Sequence, residues 1–239
     1  MRSNDTKRLL GMGKPALGTF CLGVSSLIAE TLGRAGYDFV IVDLQHGESH
    51  PGNLLGMLQA VSCTPATPLV RVAANQPVDI QRALDLGAYG LVVPMVNSRA
   101  EAEAILRSVR YAPTGNRSWG PIRGWLYGGP DYFANAQEEL LIVAMLETAE
   151  AAQNAKDILS VPGIDACFIG PNDLSIALGF SSELSEYPRP VEEAILAIRD
   201  AAWPPGRPPG SIRPAPPRPK PVSPRASGSS ASRTISGWS

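Results

Sequence analysis

Short apolar runs alternate with amphipathic stretches along the chain from about residue 17 to residue 180. Six of the runs, over 18–22, 38–43, 69–72, 90–94, 140–147 and 166–169, predict β-strands. Between them, 26–35, 52–61, 78–86, 100–109 and 149–159 carry apolar residues at three-and-four spacing and predict helices. Several of these helices end at glycine, as at Gly36 and Gly87, where a residue without Cβ can form a left-handed cap. A last helix is predicted over 191–202. Strands spaced by helices in this way are the mark of repeated βα units, so the fold class expected is α/β with a parallel barrel. A closed barrel of this type needs eight strands, and the residues after 203 hold no β-branched alternating run to supply the last two. About six βα units plus a helix leave an open edge on each side of a gap. Three outcomes are open: the tail packs irregularly across the gap, a partner subunit covers it, or the domain is damaged.

Two segments break the pattern. Residues 111–131 form a Gly-, Pro- and Trp-rich stretch too long for a plain connector and expected to cover a site. From 204 to 239 the chain holds ten of its 23 prolines and six basic residues with no acidic residue, a composition that predicts disorder. The expected division is a barrel domain over 1–203 and a disordered tail over 204–239. Without the tail, fifteen basic residues face 22 acidic ones, so the barrel carries a net charge of −7 against −1 for the whole chain. Neither balance points to nucleic acid or a membrane surface as partner. Cys21, Cys63 and Cys167 are odd in number and far apart, which reads as packing thiols in a reducing compartment rather than a disulfide frame. The N-terminus is polar and no run nears the roughly 18 apolar residues of a membrane helix, so a cytoplasmic location is expected.

Chemistry gathers where the strands end, which in a parallel barrel is one face of the molecule. The run 39–43 leads into Gln45-His46-Gly47, 68–70 into Arg71, 142–146 into Glu147, and 167–169 into Gly170-Pro171-Asn172-Asp173. Glu147 and Asp173 offer hard oxygens suited to Mg2+ or Mn2+, with two protein ligands sufficing for such an ion. The plainer alternative makes both of them helix caps. His46 is a side chain that gives or takes a proton near neutral pH, although a lone histidine is more often structural, as His50 beside Pro51 illustrates. Asp43 and Asp85 could each orient an imidazole. Arg71 can hold a carboxylate or stabilise negative charge, unless it is buried against an acidic neighbour. Free N–H groups at the 170–175 turn can attract a carboxylate.

The motifs Val42-Asp43-Leu44-Gln45-His46-Gly47, Pro68-Leu69-Val70-Arg71, Leu91-Val92-Val93-Pro94-Met95-Val96, Leu146-Glu147-Thr148 and Phe168-Ile169-Gly170-Pro171-Asn172-Asp173-Leu174-Ser175 together resemble the HpcH/HpaI aldolase/citrate lyase family, the metal-dependent class II pyruvate aldolases. The resemblance runs from about residue 15 to 200 and implies a TIM (β/α)8-type barrel. It implies a divalent metal, Mg2+ or Mn2+ with Co2+ as a further candidate, held by Glu147 and Asp173. His46 would be the base, Arg71 would stabilise an enolate, and Asp85, preferred to Asp43, would raise the basicity of the histidine. The backbone of Asn172 would meet the substrate carboxylate, and Asp173 would join it at the substrate. Met145 stands where some members place a substrate-touching glutamine, and Gln45 where better-known members carry glutamate. The implied reaction is retro-aldol cleavage of a 4-hydroxy-2-oxo acid to pyruvate, or a close 2-oxo acid, and an aldehyde. A homo-hexamer is the implied assembly. The family continues after the 191–202 helix with two strands and an exchanged helix, where this chain has a tail resembling a shifted reading frame or a truncation. An inactive incomplete barrel and a CoA-thioester lyase of the citrate lyase β-subunit type are the rival readings.

Overall fold

The computed structural model describes residues 1–182, 186–202 and 232–237. Six parallel strands, β1 (Ala16–Cys21), β2 (Phe39–Asp43), β3 (Thr67–Arg71), β4 (Gly90–Val93), β5 (Leu141–Leu146) and β6 (Ala166–Ile169), pair in chain order. They match the six predicted runs to within one or two residues at most ends. Helix α1 (Asp5–Gly11) precedes β1, and α2 (Ser26–Arg34), α3 (Leu54–Ser62), α4 (Pro77–Asp85) and α5 (Arg99–Val109) link the strands that follow. Next come α6 (Ile122–Gly128) and α7 (Tyr132–Glu139), then α8 (Ala149–Gln153), α9 (Ala155–Leu159), α10 (Pro171–Ala177) and α11 (Arg189–Ala202). The single helix predicted over 149–159 is two, broken at Asn154, whose side chain leaves the helical pattern to donate to the Asn97 carbonyl.

The expectation that the tail holds no strand is corrected by β7 (Ser232–Gly237). It lies antiparallel between β1 and β6, with Ala16 opposite Ile235 and Ala166 opposite Gly237, and closes the ring. Pairing needs backbone donors and acceptors more than apolar side chains, and the edges of β1 and β6 present two rows of them. The barrel therefore stays incomplete in its parallel part, with six βα units and one antiparallel strand in the gap. Of the tail expected to be disordered over 204–239, residues 204–231 and 238–239 lie outside the described residues.

Side chains alternate along each strand. Phe39 and Ile41, Leu69, Val92, Leu141, Val143 and Met145, and Ala166 and Phe168 form the core inside the barrel, with Leu10 of α1 beneath them. The intervening residues, among them Val40, Val42, Val70, Leu91, Ile142 and Ala144, pack outward against Leu58, Ile80, Leu84, Ile105 and Ile158 of the helices. The same alternation carries Asp43, Arg71 and Glu147 onto the inner face, each two residues beyond an inward apolar one.

The segment 111–131 is not a cover over the carboxyl ends of its own chain, contrary to expectation. It packs at the amino ends of the strands, where the Gly128 carbonyl accepts from the Arg2 amide and a Cβ at Gly124 would meet the Leu84 carbonyl. The reason is connectivity: α5 returns to the amino face, α6 and α7 follow there, and β5 starts from the same face. Arg117 anchors the segment, donating to Asp85 at 2.8 Å and to the Tyr132 hydroxyl at 3.2 Å and lying over the Tyr111 ring. Cys21 and Cys167 are buried as expected, Cys63 is exposed, and all three thiols are free. No helix among the described residues is long and apolar enough to cross a membrane.

Gly18 faces the barrel interior, and a Cβ there would fall 2.0 Å from the Phe39 ring. Gly18→Ala is expected to lower stability by about 1–3 kcal/mol through overpacking, read as a lower midpoint in urea at unchanged slope.

Candidate active site at the carboxyl ends of the strands

Asp43 and Arg71 are register partners at the ends of β2 and β3. Arg71 donates from Nε to Asp43 Oδ1 at 2.9 Å and from Nη2 to Oδ2 at 2.5 Å, a bidentate pair with both groups buried. Asp43 Oδ1 also accepts from the backbone amides of Gln45 and His46, so one carboxylate orients the arginine and shapes the loop that carries the histidine. Burial alone raises the Asp43 carboxyl, but the hydrogen bonds and charge of Arg71 outweigh it and hold it below the usual carboxylate range. The guanidinium lies 4.7 Å from the centre of the Phe20 ring, and Phe20 meets Phe168 edge-on. Among the described residues the remaining nitrogen, Nη1, has the Met145 thioether at 4.0 Å as its partner. Burial against an acidic neighbour, the plain reading of Arg71, is thus present, yet it leaves one donor edge toward the interior.

Glu147 is 1% exposed. Its Oε1 accepts from the Met95 amide at 2.9 Å, while Oε2 is buried with no hydrogen-bond donor among the described residues. Burial pushes its carboxyl up to about 7; the Met95 bond and the nearby Arg71 act downward and Asp173 adds to the rise. Asp173 is therefore within electrostatic reach of Glu147, and it sits in the exposed first turn of α10. The cap alternative does not hold for Glu147, because Thr148 caps α8 by accepting from the Ala151 amide. Nor does it hold for Asp173, since the N-cap of α10 is Gly170 and makes no side-chain cap bond. Gly170 is required for a different reason: a Cβ there would lie 2.5 Å from Glu147 Oε2 and 2.8 Å from the end of the Met145 side chain. A side chain at 170 would fill the space that Oε2 faces.

His46 is exposed in the loop after β2, and His50 is also exposed, with Nδ1 accepting from the Gly52 amide. Within this chain Asp85, preferred to Asp43 for tuning the imidazole, does not lie beside His46. It ends α4 at the amino face and pairs with Arg117 there, since a helix following a parallel strand runs back to where that strand began. Asn172 and Asp173 follow Pro171 at the start of α10, where the first amides have no helical acceptor. The residue that sequence reasoning missed is Met95, whose φ of +56° turns its amide onto Glu147. The left-handed region costs a residue with Cβ on the order of 1 kcal/mol, and the sequence signal for it was only Pro94 closing an apolar strand.

Fold and site together define a barrel enzyme: six parallel strands ringed by helices, with a buried arginine, a partly unsatisfied buried carboxylate and an exposed histidine at one mouth. The HpcH/HpaI aldolase/citrate lyase family model matches residues 16–203, and the chain belongs to this family of carbon–carbon lyases. A hydroxypyruvate/pyruvate aldolase of Rhizorhabdus wittichii is 41% identical over 204 residues, covering 85% of this chain and 81% of that protein. A 4-hydroxy-2-oxo-heptane-1,7-dioate aldolase of Shigella sonnei is 37% identical, covering 85% and 79%. The crystal structure of a family protein from Burkholderia cenocepacia superposes with a TM-score of 0.78 at 29% identity, over 84% of this chain and 80% of that one.

A carboxyl raised to about 7 in the fold from 4.5 favours the protonated form of the folded protein between those values. Its contribution to stability is complete below the lower value and is lost as pH rises through about 7. Glu147→Gln should therefore make the metal-free protein more stable than the wild type at pH 8 by on the order of 3 kcal/mol, with little difference at pH 4.5. Urea denaturation at the two pH values in EDTA checks this, and an equal difference at both would contradict it.

Proposed function

We propose that the protein cleaves a 4-hydroxy-2-oxo acid to pyruvate, or a close 2-oxo acid, and an aldehyde in a metal-dependent retro-aldol reaction. The observation that carries this reading is Glu147 Oε2, a buried carboxylate oxygen with no donor among the described residues and with a second carboxylate, Asp173, in electrostatic reach. An unpaired anionic oxygen out of water is costly, and a cation is the partner that relieves it. Among the described residues no three His, Cys, Asp or Glu side chains cluster around one point. Mg2+ and Mn2+ accept one or two carboxylates and take other ligands from water and substrate; Co2+ is a further candidate. The names of the two bacterial relatives support the same reaction class.

Glu147 and Asp173 would hold the cation, which when bound supplies a Lewis acid for the keto oxygen. His46 takes the proton from the 4-hydroxyl. The electron pair left on that oxygen becomes the aldehyde carbonyl as the bond between carbons 3 and 4 breaks, and its electrons pass into the 2-oxo unit as an enolate. Arg71 meets that charge with Nη1, whose present acceptor is a weak thioether, while Asp43 keeps the fork from turning. Protonation of carbon 3 then gives pyruvate. The free amides of Asn172 and Asp173 would receive the substrate carboxylate, and Met145 would give the pocket an apolar wall. A homo-oligomer belongs to the same reading, because Trp119, Ile122, Trp125, Leu126 and Phe133 expose apolar surface of the sort another copy covers.

Pyruvate release from a 4-hydroxy-2-oxo acid should stop in EDTA and return with Mn2+ or Mg2+. His46→Ala should lower kcat by about 10²–10⁴-fold. Turnover that ignores EDTA would overturn the reading. Absence of turnover together with a melt that metal does not shift would favour the inactive barrel, and turnover of CoA esters alone would favour the citrate lyase branch.

Arg71→Lys keeps the charge but cannot hold Asp43 bidentately while presenting a third nitrogen. It should cost at least about tenfold in kcat/KM, falling on kcat more than KM if the arginine acts on the enolate.

A further inference from the structure

The β4–β5 ladder is interrupted beside Glu147. Val96 donates to the Met145 carbonyl at 3.2 Å in the place where the register would put the Met95 amide, and the Met95 amide turns instead to Glu147 Oε1. Met95 can do so only in its left-handed conformation, at φ +56°. Its carbonyl, turned outward by the same rotation, accepts from Asn97 Nδ2 at 3.1 Å. Asn97 Oδ1 in turn accepts from the hydroxyl of Thr148 at 2.5 Å, and Thr148 is the residue after Glu147. The main chain of Asn97 is also committed, its amide donating to Glu101 Oε2 at 2.6 Å and its carbonyl accepting from Asn154 Nδ2 at 2.8 Å. A closed circuit results: Glu147 to Met95 by a hydrogen bond, Met95 to Asn97, Asn97 to Thr148, and Thr148 back to Glu147 through the peptide bond.

We propose that Asn97 is a positioning residue for Glu147: its carboxamide bridges the Met95 carbonyl and the Thr148 hydroxyl, locks the left-handed turn that ties down Oε1, and so leaves Oε2 as the oxygen without a donor among the described residues. The inference rests on the reading of Glu147 as a metal ligand. No other arrangement of the asparagine serves both arms, since the donor must face a carbonyl and the acceptor a hydroxyl. Groups that orient metal-binding carboxylates in this way commonly carry about 10–100-fold in metal affinity. A loop staple with no bearing on the site would change thermal stability and leave metal affinity alone.

The test titrates the full chain with Mn2+ and follows free Mn2+ by EPR. Asn97→Ala should bind Mn2+ at least about tenfold more weakly than wild type. Met95→Gly should stay within about threefold, because glycine takes the left-handed region without a Cβ penalty. For the same reason Asn97→Ala combined with Met95→Gly should bind more tightly than Asn97→Ala alone. Equal affinity of wild type and Asn97→Ala, or the same loss with and without glycine at 95, overturns the proposal. If Asn97→Ala does not fold, Asn97→Asp replaces it: it can accept from Thr148 but not donate to Met95, and should bind more weakly despite its added negative charge. Binding by Asn97→Asp that equals or exceeds wild type counts against the proposal. A metal-free readout separates this idea from the metal reading. The Met95 methyl signal in a ¹³C-methyl-methionine spectrum, assigned by its loss in Met95→Gly, should move or broaden in the Asn97 variant. If wild type binds no Mn2+, the metal reading fails, and an unmoved Met95 signal would sink the clamp as well.

Discussion

A carboxylate lies at the mouth of the barrel, out of water, with one oxygen bonded to the Met95 amide and the other without a donor among the described residues. Everything around Glu147 serves to keep it there. The barrel walls exclude solvent, Gly170 leaves room in front of Oε2, and the unusual backbone at Met95 supplies the only donor on the other side. Burial without full compensation raises the carboxyl to about 7, a state that the fold tolerates only because the rest of the core offsets it. Buried polar groups are ordinarily hydrogen-bonded, so one left unpaired calls for a partner, water or an ion among them.

The second pole of the mouth is the Asp43–Arg71 pair. Both groups are buried, and a buried ion pair stabilises little relative to apolar residues of the same size, although breaking it by removing one partner costs about 3–5 kcal/mol. Its value is geometric. Nε and Nη2 are fixed by Asp43, the plane stacks over Phe20, and Nη1 is left facing a soft sulfur that a charged oxygen outcompetes. Asp43 also receives the amides of Gln45 and His46, so the arginine and the histidine loop answer to the same anchor.

The opposite face has another character. Arg117, Asp85, Tyr111 and Tyr132 form a mostly buried cluster beneath the barrel, and α1 inserts Leu10 into the inner core from below. Charged and aromatic groups at the amino ends of barrel strands hold the fold, whereas those at the carboxyl ends act. The gap left by six parallel strands is an edge problem, and β7 meets it with backbone hydrogen bonds to β1 and β6 in the antiparallel sense.

Six strands, five of the helices between and after them, and the positions of Asp43, Arg71, Glu147 and Asp173 were legible in the chain. The reason is that alternation along a strand and three-and-four spacing along a helix are local properties, and the end of an apolar run shows where a strand stops. The inward direction of Asp43, Arg71 and Glu147 follows from the same period of two. Tertiary structure decided what depends on which end of the barrel a segment reaches and on which backbone is free to pair. It sent 111–131 and Asp85 to the amino face, because an α-helix returns the chain to where its strand began. It gave Asp43 to Arg71, because the two end adjacent strands in register. It set a strand in the tail, since sheet edges bind any backbone that can extend beside them. And it bent Met95 into a conformation that Pro94 alone hints at locally, because the hydrogen bond that holds it there is accepted by a carboxylate 52 residues further along the chain.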